Sequence, residues 1–227
     1  MGRLLLVRHG QASFGADDYD VLSETGWQQG RLLGAHLAAS GTVPTVVVRG
    51  GMRRHCETVD AMLEGAGWDL AAGVDPGWDE FDHLGVVARH PDLPEGELDR
   101  RAFQALFEQA TARWTSGRHD EDYPESYAAF LARVRDSLRR ACEQAGPGGT
   151  VVVVTSGGPV AAACADLVHP PAGPDDGDLS ATARLWARFN TVVVNSSVTR
   201  VVVGSTGPRL LTFNEHAHLA GDALTYR

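Results

Sequence analysis

The sequence predicts an α/β fold in three layers, a mostly parallel central sheet with helices on both faces. Three observations carry that reading. Short continuous apolar runs at 4–7, 43–48 and 151–154 have the length and composition of strands buried on both sides. Stretches of helical periodicity alternate with them, which is the pattern of a parallel sheet. The runs at 4–7 and 151–154 end in Arg8-His9-Gly10 and Thr155-Ser156-Gly157-Gly158. Polar, glycine-bearing strand ends of this kind face the crevice where open α/β sheets bind ligands.

The elements follow in order. Leu4 to Val7 reads as a central strand, and the polar residues 11–21 as a loop. Ser23 is a helix N-cap; Trp27, Gly30, Leu33, Gly34 and Leu37 recur at helical spacing, and Gly41 stops the helix. The run 43–48 is β-branched, hence a strand. Residues 52–63 read as a helix, and a weaker extended stretch begins at Val74. Residues 84–124 lack strand periodicity and hold Pro91, Pro94 and one helix near 98–114, so they form an insertion or cap on a single domain of 1–227. Tyr127, Phe130, Leu131, Val134 and Leu138 mark an amphipathic helix. An alanine-rich helix follows Gly158, then a loop at 170–178, a helix at 179–189, and strands at 192–194, 198–203 and 210–213.

Composition narrows the function. The chain has 227 residues, 43% hydrophobic and 22% charged, which suits one soluble domain with a real core. The net charge of −9 argues against a nucleic-acid surface. Cys56, Cys142 and Cys164 are scattered, with neither a C-x-x-C pair nor zinc spacing, and read as reduced, mostly buried thiols. They and the short first apolar run, too brief for a signal peptide or a membrane span, lead to a cytoplasmic expectation. No histidine cluster has metal-ligand spacing, so no metal or other cofactor is expected.

Arg8-His9-Gly10 carries the first chemical signal. A histidine at a strand's carboxyl end can aim a ring nitrogen into the crevice, beside an arginine fork suited to phosphate oxygens. Gly10 lets the backbone approach an anion. The second signal is Arg49-Gly50-Gly51-Met52-Arg53-Arg54-His55-Cys56-Glu57-Thr58. Basic residues in a first helical turn oppose the helix dipole, and a bound anion relieves that conflict.

Taken in order, these strings resemble the histidine phosphatase (phosphoglycerate-mutase-like) superfamily. R-H-G followed by Leu22-Ser23-Glu24-Thr25-Gly26-Trp27-Gln28-Gln29 is similar to its R-H-G and L-[ST]-x-x-G-x-x-Q. Residues 52–58 resemble L-x-R-A-x-Q-T with Arg54 as the arginine, Trp78-Asp79-Glu80 resembles L-x-E, and Glu125-Ser126 resembles the E-S of G-E-S, with Pro124 in place of Gly. The resemblance implies a phosphomonoester hydrolase acting on a small-molecule phosphate through a phosphohistidine. It gives His9 the role of nucleophile, Arg8 and Arg54 the phosphoryl oxygens, and Glu80 that of proton donor. Neither a nucleic-acid nor a membrane partner is expected, and a homodimer is left open.

Two departures stand out. The family's second histidine sits in a [ST]-H-G-G string, where this chain has Ser156. Ser156 and Gly157, at a helix N-terminus, are then expected on the phosphate, with His216 filling in from the tail Asn214-Glu215-His216-Ala217-His218-Leu219. His218 fits the usual tail pattern, and His216 is the extra residue. His36, His55, His90, His119 and His169 read as surface or partly buried, while His83, three residues past Glu80, stays open. Gly15 replaces an asparagine near the phosphate, with Gln11 and Ser13 as other donors. Two enzymatic alternatives are a phosphoglycerate-mutase-type phosphotransferase and a serine hydrolase on Ser156, the latter lacking the usual glycine two residues before the serine. A degenerate anion-binding module is the non-enzymatic one.

Overall fold

The computed structural model describes residues 1–13, 20–94, 96, 98–170 and 178–226. Gly15 and most of the loop expected at 170–178 lie outside the described residues. Six strands form one sheet: β1 (Gly2–Arg8), β2 (Val46–Arg49), β3 (Ala72–Val74), β4 (Thr150–Thr155), β5 (Val198–Gly204) and β6 (Gly207–Glu215). The helices are α1 (Glu24–Ala39), α2 (Arg53–Ala66), α3 (His83–Ala88), α4 (Arg100–Thr115), α5 (Tyr127–Ala145), α6 (Gly157–Val168) and α7 (Ser180–Asn190). The strand order is β3-β2-β4-β1-β5-β6. β1 to β4 run parallel, whereas β5 and β6 are antiparallel to their neighbours.

Alternation along the buried strands divides the core into two layers. Leu4, Leu6, Val151 and Val153 face a large cluster with Trp78, Phe81, Trp114, Tyr127, Phe130 and Trp186. Leu5, Val7, Val152 and Val154 face Leu33 and Leu37 of α1 and Val59 and Met62 of α2. Each fully buried aliphatic side chain contributes about 1.5–3 kcal/mol. The pairing of α1 with α2 depends on glycine, because a Cβ at Gly34 would lie 2.0 Å from the Met62 carbonyl oxygen. Side chains of Ser23, Asp99 and Ser126 cap α1, α4 and α5 by accepting from the amides of Gly26, Ala102 and Ala129. Caps of this type are each worth about 1 kcal/mol.

Three expected strands change. β2 starts at Val46 and leaves Val43 exposed, since Pro44 has no N–H for a ladder. The extended stretch near Val74 ends there: Asp75 accepts from the Gly77 amide and Pro76 opens a 3-10 turn. Residues 192–194 form no strand. Their backbone is held by one side chain instead, Asn214 accepting from the Val194 amide and donating to the Val192 carbonyl. The segment 84–124 carries α4 and most of α3. No helix among the described residues is long and apolar enough to cross a membrane.

Register assembles the site. β1 pairs Arg8 with Thr155 of β4, and β2 pairs Arg49 with Val154 of β4. The next residues, His9, Ser156 and Gly50, therefore emerge together at the carboxyl edge of the parallel strands.

Candidate active site

Two carbonyls fix His9 at the end of β1. Its amide donates to the Thr155 carbonyl at 2.8 Å, and its ring Nδ1 lies 2.6 Å from the Gly10 carbonyl oxygen. A carbonyl only accepts, so Nδ1 carries the proton and Nε2 keeps its lone pair. Burial holds the His9 pKa well below its ordinary value, aided by the charges of Arg54 and Arg8 and by His55, while the Gly10 carbonyl opposes the shift. The ring is therefore neutral at pH 7, as a nitrogen nucleophile must be.

The glycine and polar positions of the motifs explain this placement. The Gly10 amide donates to Thr58 Oγ1 at 3.0 Å, and that hydroxyl donates to the Arg54 carbonyl at 2.7 Å, tying the histidine loop to α2. A Cβ at Gly10 would lie 2.5 Å from the Gly26 carbonyl oxygen. Gln29 Oε1 accepts from the Gln11 amide, and its Nε2 donates to the Ala223 carbonyl. Gln11 Oε1 accepts from the Ser23 hydroxyl, so that oxygen is engaged away from the cleft.

The cleft beside His9 has a volume of about 270 Å³. Arg8, His9, Arg54, Glu80 and Gly157 line it, five of the seven residues expected from sequence. Arg8 donates through Nη1 to the carbonyls of Val193 and Tyr226, which orient its guanidinium from the C-terminal side. Arg54, only 4% exposed, donates to Asp20 Oδ1 at 2.6 Å. Asp20 also accepts from the Arg53 amide, so a carboxylate occupies this helix N-terminus.

Glu80 is held by two amides at the cleft wall. Its Oε2 accepts from the Gly158 amide at 3.1 Å, and Oε1 from the Phe81 amide at 3.2 Å. Glu125 explains the later E-S string. Its carboxylate grips Arg133 at 2.6 and 3.0 Å, and Arg133 Nη1 donates to the carbonyls of Gly77 and Asp79, bracing the loop that carries Glu80. Trp78 and Phe81 anchor that loop in the aromatic core.

Ser156 and His216 are not where the sequence placed them. Ser156 is fully buried and does not line the cleft, which also removes the access a serine nucleophile would need. His216 is likewise outside the cleft lining: Nδ1 lies 2.6 Å from the Asn214 carbonyl oxygen. The left-handed backbone at Asn214, φ 60°, turns the tail there. Neighbouring His218 stacks on His36 and lies 3.1 Å from the Ser196 carbonyl oxygen.

His55 is the residue that sequence reading passed over. It is fully buried, neither surface nor partly exposed, and its Nε2 lies 2.7 Å from Ser156 Oγ. Burial lowers its pKa well below the usual value, with Arg54 and Arg49 adding to the effect. The available signal was a histidine next to Arg54 together with Ser156 at the position where the resemblance led one to expect a histidine. His83 also lines the cleft, and burial lowers its pKa against the pull of Glu80. Phe81, Phe103 and Phe107 give the outer wall an aromatic surface. Among the described residues no group of His, Cys, Asp and Glu could hold a metal ion.

Comparison with known proteins agrees with this architecture. Curated protein sequences give no match. A phosphoserine phosphatase mutant from Entamoeba histolytica, solved with phosphoserine, superposes with a TM-score of 0.66 at 19% identity, covering 97% of this chain and 100% of that one. The mycobacterial glucosyl-3-phosphoglycerate phosphatase gives 0.62 at 22% identity, over 96% and 100%. At these identities the likeness establishes the fold. The family model of the histidine phosphatase superfamily (branch 1) matches residues 4–216, and the chain belongs to that superfamily.

Proposed function

We propose that the protein hydrolyses phosphate monoesters of small molecules through a phosphohistidine on His9. The observation that supports this best is the state of His9: a neutral ring whose Nδ1 is tied to the Gly10 carbonyl, in a cleft shared with Arg8, Arg54 and Glu80. In the first step the Nε2 lone pair attacks phosphorus. The bond from phosphorus to the ester oxygen breaks, and Glu80 gives a proton to the departing alkoxide. The arginine guanidinium groups hold the phosphoryl oxygens as charge spreads over them. Water then attacks the phosphohistidine, Glu80 takes the water's proton, and the N–P bond breaks to release phosphate and restore His9.

Specificity belongs to the outer wall of the cleft. We assign residues 84–124 to a cap over the site, since Phe103, Gln104 and Phe107 of α4 line the same cleft as His9. The test is a panel of phosphate esters turned over by the wild type and by His9→Ala. Wild-type turnover should come with an acid-labile, alkali-stable phosphoprotein, and both should vanish in the variant. Retention of more than a few per cent of activity by His9→Ala would exclude His9 as the nucleophile.

A further inference from the structure

The buried contact between His55 and Ser156 has the geometry of a replaced imidazole. His55 projects from the first turn of α2 to the end of β4, where its Nε2 meets Ser156 Oγ at 2.7 Å. A nitrogen one hydrogen bond beyond a serine oxygen lies about as far from that residue's Cβ as the distal ring nitrogen of a histidine would. The His9 and His55 ring centres are 5.8 Å apart, so the ring sits in the layer next to the nucleophile.

The surroundings are cut to receive this ring. A Cβ at Gly50 would lie 2.3 Å from His55 Nδ1, so only glycine leaves the slot open. Nδ1 is buried without a hydrogen-bond partner, and Asp79 Oδ1 lies 3.8 Å from it. Asp79 is itself fixed, accepting from the Gly51 amide at 2.5 Å. Filling space does not explain such a ring, because an apolar side chain would fill the slot without stranding a buried nitrogen. The line Asp79–His55–Ser156 instead ends at the N-terminus of α6, where Gly157 faces the cleft.

We propose that His55, acting through Ser156, restores to the phosphoryl site the imidazole that the end of β4 lacks. The proposal rests on the phosphatase reading above. The Nε2–H of His55 donates to Ser156 Oγ, and Ser156 opens α6, so the ring holds the Gly157 end of that helix toward the phosphoryl oxygens. His55 is thus a positioning residue, contributed by a different segment from the one that carries the family's second histidine.

The test is steady-state kinetics of the whole protein on an ester that the wild type turns over. His55→Ala should lower kcat by about 10²–10³-fold, the usual loss for one phosphoryl-site donor, with KM changed much less. The double variant His55→Ala/Ser156→His returns an imidazole from β4 into the vacated slot and should recover at least about tenfold of that loss. A merely structural ring would give no such rescue. Should His55→Ala not fold, His55→Gln carries the same comparison, with and without Ser156→His. A kcat within about threefold of wild type, or a double variant no better than the single one, would overturn the proposal. If the wild type turns over no ester, the phosphatase reading has failed separately. Orthovanadate binding then decides: about tenfold weaker binding in His55→Ala, restored in the double variant, upholds the inference, and unchanged binding overturns it.

Discussion

Gly158→Ala tests the proton-donor role proposed for Glu80 without touching its carboxyl group. A Cβ at Gly158 would lie 2.1 Å from Glu80 Oε1, 3.1 Å from Glu80 Cδ and 3.1 Å from Phe81 Cδ1. The Phe81 ring cannot yield, because it stacks on Trp114 at 4.8 Å and packs edge-on against Phe130 and Trp186. The carboxylate must therefore swing away and give up the Gly158 amide. Stability falls modestly: alanine gains about 0.5–1 kcal/mol in a helix. The lost charge-assisted hydrogen bond costs about 1.5–3 kcal/mol, leaving a net loss of about 0.5–2.5 kcal/mol. Activity changes far more, since a positioned general acid is worth about 10²–10⁴-fold. The assay compares kcat/KM for an alkyl phosphate and for p-nitrophenyl phosphate, whose phenolate leaves without a proton. The alkyl ester should lose at least about a hundredfold and the aryl ester about tenfold or less, with a cooperative melt retained. Equal losses on both esters, or full activity on the alkyl ester, would refute the placement of Glu80 as proton donor.

Three other outcomes are expected. Arg54→Lys keeps the charge but loses the planar fork, so kcat/KM should fall about 10–100-fold, whereas exposed Arg53 should tolerate the same change; equal activity with lysine at residue 54 would exclude a bidentate clamp. Gly34→Ala forces a Cβ to within 2.0 Å of a backbone oxygen of α2, so the fold should lose about 1–3 kcal/mol in denaturant melts while activity per folded molecule is kept. Burial keeps His9, His55 and His218 neutral, with His218 lowered to about 4. The unfolded chain binds these protons near pH 6.5 and the folded chain only at lower pH. The melting temperature should therefore be steady above pH 7 and fall between pH 6.5 and 5, and a flat or rising profile over that interval would contradict the assignment.

Local chemistry was legible in the sequence. The apolar run of β1 ending in His9, the Ser23 cap and the first turn of α2 all follow from short-range patterns, since strand composition and capping each act over a few residues. Five of the seven expected site residues meet in one cleft for the same reason: parallel strands end at one edge, and their following residues share it. Even so, pattern misjudged residues 192–194, whose β-branched side chains suit a strand but whose backbone is held by the distant Asn214 side chain.

Tertiary structure alone decided what stands beside Ser156. Sequence reading put His216 at the phosphate and read His55 as surface or partly buried, and periodicity gives no means of ranking the two. The contact joins residues 101 positions apart, through the β2–β4 pairing and the slot left by Gly50. A hydrogen bond between two buried side chains depends on direction as well as distance, and that direction is fixed only once the sheet register and the first turn of α2 are both in place. The sequence determined that a histidine, two arginines and a carboxylate would gather at the strand ends. Packing determined that the imidazole behind them comes from α2.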